Sequence, residues 1–317
     1  MDKKLTIQIV GWNSANVLES GLSALKTIPQ DEVTIRYIDN GSNDESVSLV
    51  KKLLPQADII NLSENKGFSG AHNVGLKRCS TEYVLIHDPD VVIEWTGIKA
   101  LIDEMDRKSD VGAVQGKLLR REKINDASII DSAGIELTLA LNGRERGAYE
   151  VDRGQYNKKT AITAVTGSCA LFRMTALRGV KHGEFEYFDE KFFAYKEDVD
   201  LGWRLNNAGW KVMYIPVNVG VHRRTLGKRG FMNWGLNPSI VWGRLKSPRT
   251  RYSFRNWIWL IVKNASLKKE LLHEIFIDIR IFVFVILSLF YWPLFSVWGE
   301  IWRGLPAMME KRMNKPL

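Results

Sequence analysis

The sequence predicts an α/β fold, a mainly parallel sheet flanked by helices, with a helical extension at its C-terminal end. Two observations predict the sheet. Short apolar runs alternate with helical spacing over the first two hundred residues, and the connections between them are short. A third observation marks the extension. From His222 onward the chain carries 17 Lys/Arg against 5 Asp/Glu, net +12, and 7 of the 11 tryptophans, whereas residues 1–221 are near neutral, with 28 against 31. The expected division is therefore a body over 1–225 and a basic, Trp-rich region over 226–317.

The elements follow in order. Residues 5–10 form an apolar strand, and 15–27 carry helical spacing at Val17, Leu18, Leu22 and Leu25. Residues 33–39 are a second strand, ended by the turn Asn40-Gly41-Ser42-Asn43. A helix over 46–54 stops at Pro55, a third strand covers 58–62, and a helix covers 69–78. Strands at 83–87 and 111–115 flank a helix at 96–107. The polar stretch 119–161 has weak periodicity and reads as a hairpin or loop. A buried strand is expected over 163–173. A helix over 199–208 is closed by Gly209, and a strand over 210–215 ends at Pro216. In the extension, 251–264 reads as a basic amphipathic helix. Residues 281–298 are almost wholly apolar but broken by Pro293, near the lower length limit for a spanning helix, roughly 17–25 residues. An in-plane membrane segment fits at least as well. Cys79 and Cys169 make neither a disulfide framework nor a metal motif, and a reducing, cytoplasmic setting follows. No apolar run at the N-terminus is long enough for a signal peptide.

Four segments carry chemistry. Asp88-Pro89-Asp90 follows a buried strand, where open α/β sheets bind ligands. Two carboxylates one residue apart can hold a hard divalent cation against a diphosphate. Glu197-Asp198-Val199-Asp200 opens a helix. Asp200 reads as a carboxylate favouring the helix dipole, and Asp198 as a general base for a hydroxyl nucleophile. His222 ends a strand and is a candidate third metal ligand. Residues 65–73, with Gly67 and Gly70, offer a helix start that could receive a phosphate or ribose.

Together these residues resemble the family-2 glycosyltransferases of the GT-A fold. The landmarks run from Ile9-Val10-Gly11-Trp12-Asn13 through Asp39-Asn40-Gly41-Ser42, Glu64-Asn65-Lys66-Gly67-Phe68 and Asp88-Pro89-Asp90. They continue with Thr166-Gly167-Ser168-Cys169, Phe188-Asp189-Glu190-Lys191-Phe192-Phe193, Glu197-Asp198-Val199-Asp200, Gly209-Trp210 and His222. The resemblance implies a metal-dependent, inverting transfer from a nucleotide-diphospho-sugar. Asp39, flanked by Val10 and Trp12, would bind the base. Asn65, Gly67 and Asn73 would lie near ribose and phosphates, and Asp88 near the ribose or metal. Asp90 and His222 would ligate a divalent cation, magnesium or manganese, and Asp198 would be the base. Asp131-Ser132-Ala133-Gly134, Gly154-Gln155-Tyr156 and the tail ending Ile301-Trp302-Arg303-Gly304-Leu305 resemble the bacterial rhamnosyltransferase subgroup. That implies L-rhamnose from dTDP-rhamnose and a lipid-linked saccharide acceptor on the cytoplasmic face of the membrane, with a homo-oligomer left open. Another nucleotide sugar (UDP-galactofuranose, GDP-fucose or a UDP-hexose) and a non-catalytic sugar-nucleotide-binding role are the alternatives. Nucleic acid is disfavoured as a partner, because the basic tail holds a long apolar stretch.

Overall fold

The structure, a computed structural model, describes residues 3–124, 127–223, 243, 245–266 and 273–314. Its centre is a mixed sheet. Strands β1 (Leu5–Gly11), β2 (Val33–Asp39), β3 (Asp58–Asn61) and β4 (Tyr83–His87) pair in parallel, in the order β4-β1-β2-β3. Every residue of β4 is buried, as expected for a strand covered on both faces. The short β5 (Val91–Ile93) follows. Beyond β4 the order runs to β11 (Cys169–Arg173), β6 (Val111–Ile124), β12 (Lys211–His222) and β10 (Thr160–Ala161). β11 is antiparallel to both neighbours, so the sheet is less uniformly parallel than its alternating pattern suggested.

Helices α1 (Ala15–Gly21), α2 (Ser46–Leu53) and α4 (Trp95–Arg107) cover one face through Leu18, Val50, Ile98 and Leu101. Helices α3 (Gly67–Lys77), α5 (Met174–Val180) and α6 (Glu197–Asn207) cover the other through Leu76, Leu177, Leu201 and Leu205. The helix expected over 15–27 divides into α1 and a 3-10 turn, Ser23–Thr27. Of the strand expected over 163–173 only β11 forms. The polar stretch after β6 holds β7 (Ala127–Ser132), which pairs with β6, and a hairpin of β8 (Ile135–Leu137) and β9 (Gly143–Glu145). Pro216 does not end the last strand. The β12–β6 ladder shifts register between Tyr214 and Asn218, where a residue lacking an N–H is tolerated, and the strand resumes to His222.

The expected body–extension boundary at 225/226 lies outside the described residues. The extension forms α7 (Pro248–Asn264), α8 (Glu274–Phe290) and α9 (Phe295–Met313). Pro248 opens α7, and the Ser247 hydroxyl accepts from the Arg249 N–H at its start. Pro293 lies in the short turn that separates α8 from α9, so the apolar stretch is split between two helices. Among the described residues no helix is long and apolar enough to cross a membrane.

The tail was expected to associate with the membrane through a basic amphipathic helix, yet much of that helix packs on the body. Trp257 and Trp259 are buried, with Trp257 Nε1 donating to the Ala140 carbonyl at 2.8 Å. Lys263 is fully buried, and its Nζ lies 2.6 Å from Asp189 Oδ2 and 2.8 Å from Asp200 Oδ2. Arg255 reaches Glu300 at 3.0 Å, and Arg251 pairs with the same carboxylate. These cations hold the extension to the body and to itself instead of meeting an anionic surface. Asp200 is corrected likewise. It is fully buried and accepts from Arg204 and Asn264 as well as Lys263, so it serves an interior ion network more than a helix dipole. Asp189, Asp200 and His182 stand close enough to hold a metal, but the Lys263 ammonium already bonds both carboxylates.

Candidate active site

Strands β1, β2 and β4 end side by side at Gly11, Asp39 and His87, which places three loops on one rim. At the β2 end Asp39 is buried. Its Oδ2 accepts from the Ser42 N–H at 3.1 Å, while Oδ1 is buried with no partner among the described residues. An unsatisfied buried acceptor is costly, and the ring N–H of a pyrimidine would satisfy it. Val10 is half-buried and Trp12 exposed beside it. Gly11 is required for packing, since a Cβ there would stand 2.1 Å from Tyr37 Oη.

The Asp88-Pro89-Asp90 loop joins β4 to β5 and packs on α1, where a Cβ at Gly21 would meet the Pro89 carbonyl at 1.8 Å. β5 pairs with the end of β12, setting His222 opposite Val91. This pairing brings His222 to the loop. Ligand atoms of Asp88, Asp90 and His222 lie within 4.8 Å of one another. His222 Nε2 is 3.1 Å from Asp90 Oδ1, and Nδ1 is 2.8 Å from Asp131 Oδ2. Burial alone would push this imidazole down. Hydrogen bonds to Asp131 and Asp90 override it and raise the group to about 9. Asp131, buried on β7 and paired with Arg120 at 3.1 Å, thus orients the ring. The donor set fits a divalent cation: two carboxylates, an imidazole nitrogen facing them, and an outer carboxylate on the other nitrogen.

The turn that carries Glu197 and Asp198 lies near this cluster. Asp198 opens α6, where its Oδ1 accepts from the Val199 N–H at 2.7 Å. Burial raises its carboxyl above the usual range, partly offset by Lys196. Glu197 is more buried, and burial together with Asp198, and then Asp88, pushes it well up. Phe193, Tyr195 and Lys196, just before this pair, all adopt positive φ, at 64°, 72° and 76°. Three such non-glycine residues so close together are strained and need external support. Asn256 of α7 supplies it, its Nδ2 lying 2.9, 2.9 and 2.7 Å from the carbonyls of Phe192, Ala194 and Tyr195.

The glycine-rich segment is used differently from its reading. The Phe68 and Ser69 N–H groups at the start of α3 donate to the Phe193 carbonyl, so they are not free for a phosphate. Gly67 has φ 70°, and a Cβ there would meet that same carbonyl at 2.3 Å. Asn65 Oδ1 accepts from Asn40 and from the Gly67 N–H. Asn73 is buried with its amide fully engaged: Nδ2 donates to the Phe188 carbonyl and Glu190, and Oδ1 accepts from the Tyr187 and Phe188 N–H groups. These residues fasten the segment before Glu197 and Asp198 to α3. Sequence reasoning assigned no role to Asp131, which it held only as part of a subgroup landmark, and it missed Asn256, whose only signal was an Asn in a helix interior.

The sheet, the acidic loop and the paired carboxylates at a helix start define a glycosyltransferase of the GT-A fold. The chain belongs to Glycosyl transferase family 2, whose family model matches residues 6–180. It is 27% identical over 247 residues to the N-acetylglucosaminyl-diphospho-decaprenol L-rhamnosyltransferase of Mycobacterium tuberculosis, covering 71% of this chain and 77% of the relative. It is 25% identical to the poly-beta-1,6-N-acetyl-D-glucosamine synthase of Staphylococcus aureus, covering 67% of this chain and 48% of that protein. Among solved structures, S. aureus TarS in complex with UDP superposes with a TM-score of 0.52 at 18% identity, over 82% of this chain and 64% of that one. GalNAc-T7 with UDP, GalNAc and Mn2+ gives 0.54 at 12% identity, over 70% and 44%. Both likenesses concern the fold.

Proposed function

We propose that the chain is an inverting glycosyltransferase that moves L-rhamnose from dTDP-rhamnose onto a hydroxyl of a lipid-linked saccharide at the cytoplasmic membrane face, in cell-surface polysaccharide synthesis. The observation that carries the reaction type is the Asp88–Asp90–His222 cluster near a buried carboxylate pair at a helix start. The relative that acts as an L-rhamnosyltransferase on a diphospho-decaprenol-linked sugar supports the donor and the acceptor class.

In this reading Asp39 Oδ1 accepts from the pyrimidine. Asp88, Asp90 and His222 would hold magnesium or manganese, which when bound would neutralise charge on the departing diphosphate. Asp198 takes the proton of the acceptor hydroxyl as that oxygen bonds to the anomeric carbon. The bond to the nucleoside diphosphate breaks on the opposite side, and the electron pair leaves with the diphosphate. A single displacement inverts the anomeric centre. Asn256 and Arg255 of α7 hold the turn before Asp198 in place, and the exposed apolar face of α8 supports attachment to lipid.

The test is a panel of nucleotide sugars read by thermal stabilisation with manganese present. A preferred donor at a hundred times its Kd adds about 2.7 kcal/mol by mass action. dTDP-rhamnose should stabilise most, and product analysis should show the inverted anomer. Turnover of a UDP-sugar with indifference to dTDP-rhamnose would refute the donor while leaving the fold and the class intact.

A further inference from the structure

Cations that the transfer does not use surround the base-bearing turn. Lys196 directly precedes Glu197 and donates from Nζ to the Gly143 carbonyl at 3.2 Å. Arg280 of α8 and Arg249 of α7 lie within electrostatic reach of it. Burial, aided by both guanidiniums, pushes the Lys196 ammonium down to about 8 despite Asp198 and Glu145 nearby.

Arg280 differs from its neighbours. Lys263, Arg255, Arg251 and Lys311 each meet a carboxylate. Arg280 bonds none among the described residues. It lies 4.5 Å over the ring of the buried Trp257, and burial brings its guanidinium down to about 10. Arg249 likewise meets an aromatic ring, that of Tyr195 at 5.4 Å, and no carboxylate among the described residues. A half-buried cation without a counter-charge is costly, and an anionic ligand would remove that cost. α8 also has two unlike faces. Arg280 stands on the side that packs inward with Phe284 and Ser288, while Ile275, Ile279, Phe282, Leu289 and Phe290 are exposed. A cation on one side and an apolar strip on the other match a molecule that joins a phosphate group to a long hydrocarbon.

We propose that Arg280, with Arg249 and Lys196, binds the diphosphate of a polyprenyl-diphosphate-linked acceptor, whose prenyl chain lies along the exposed face of α8. The assignment rests on the reading of a lipid-linked acceptor given above and adds the residues that recognise it. It also explains why the cations gather at the base: a diphosphate held there keeps the first sugar of the acceptor near Asp198.

Calorimetric titration of the full chain with farnesyl diphosphate and with farnesol tests the site without sugar transfer. Excess chelator keeps the diphosphate from entering the donor site through a metal. Wild type should bind the diphosphate more tightly than the alcohol. Arg280→Ala should weaken diphosphate binding about tenfold or more. Arg280→Lys should recover part of the loss, Arg249→Ala should lose less, and farnesol binding should not change. Unchanged binding of dTDP with manganese would show that the variants are folded. Equal affinity of wild type and Arg280→Ala for farnesyl diphosphate, or no preference over farnesol, would overturn the proposal. So would a parallel loss of flotation with phosphatidylglycerol vesicles, since the cations would then serve bilayer headgroups. Arg280-dependent diphosphate binding without any transfer to a diphosphopolyprenyl saccharide would uphold the site and refute the lipid-linked reading of the reaction.

Discussion

Asp90 and Asp198 are assigned to different halves of the transfer, so their substitutions should separate. Asp90→Ala removes a carboxylate from the cation site and should abolish transfer and weaken nucleotide binding when metal is present. Full activity in excess chelator would refute this. Asp198→Asn keeps the shape but cannot accept a proton. Turnover should fall about 10²–10⁴-fold, as expected for loss of a general base, with nucleotide affinity nearly unchanged in titration. The pH profile follows from the raised carboxyls of Asp198 and Glu197. The base acts deprotonated, so kcat should fall as pH drops through a value above the ordinary carboxylate range. Lys196→Met removes a cation that lowers Asp198, and should move that acid limb to higher pH; an unmoved limb would exclude Asp198 as the titrating group. The acids and His222 were legible in the sequence because they sit at strand and helix ends. Asp131 was not, because its role depends on β7 pairing with β6 and meeting an imidazole from β12. The chain contacts of the Asn73 amide were not legible, because a polar residue in a glycine-rich helix start gives no sign of whether it faces ligand or chain.

Helix α7 is the element whose role changed most between sequence and structure. Its arginines, lysine and tryptophans gave it the composition of a membrane-surface helix, yet Arg255, Lys263, Trp257 and Trp259 are buried. Composition records which residues are present and not which carboxylates await them. The partners Asp189 and Asp200 lie far earlier in the chain. Strands and helices of the body were legible because each buries a regular face. Irregular pieces, such as the bulged continuation of β12 past Pro216, depend on contacts that no local pattern encodes. Two substitutions test the helix. Lys263→Met leaves Asp189 and Asp200 buried together without their shared cation, and should cost about 3–5 kcal/mol, measurable by denaturant unfolding. Asn256→Ala removes the side-chain donor shared by three carbonyls of the strained turn, of which, among the described residues, only the Phe192 carbonyl keeps another side-chain donor, Arg255. It should lower kcat with little change in nucleotide affinity. Loss confined to stability would show that the turn holds its shape unaided.

At the scale of the molecule, the chain presents a sugar-transfer body with an apolar outer strip on its C-terminal helices. Phe282, Leu289, Phe290, Trp292 and Trp302 are all exposed. Such a strip is uncommon on a monomer without a partner surface. With Arg251, Arg255, Lys263 and Lys311 engaged internally, attachment to lipid should depend more on these exposed side chains than on those cations. Full-length protein should float with anionic vesicles and resist release by high salt. Phe282→Glu with Phe290→Glu should abolish flotation while leaving nucleotide binding intact. Protein that stays soluble without detergent and ignores vesicles would refute attachment. The hold of Asn256 on the base-bearing turn also bears on the order of synthesis. A nascent chain that has emerged only through His222 already carries every acidic motif, yet the Ala194 and Tyr195 carbonyls lack their Asn256 donor until α7 follows. A later-made helix thus arms an earlier-made turn, and a chain cut short before α7 should transfer nothing.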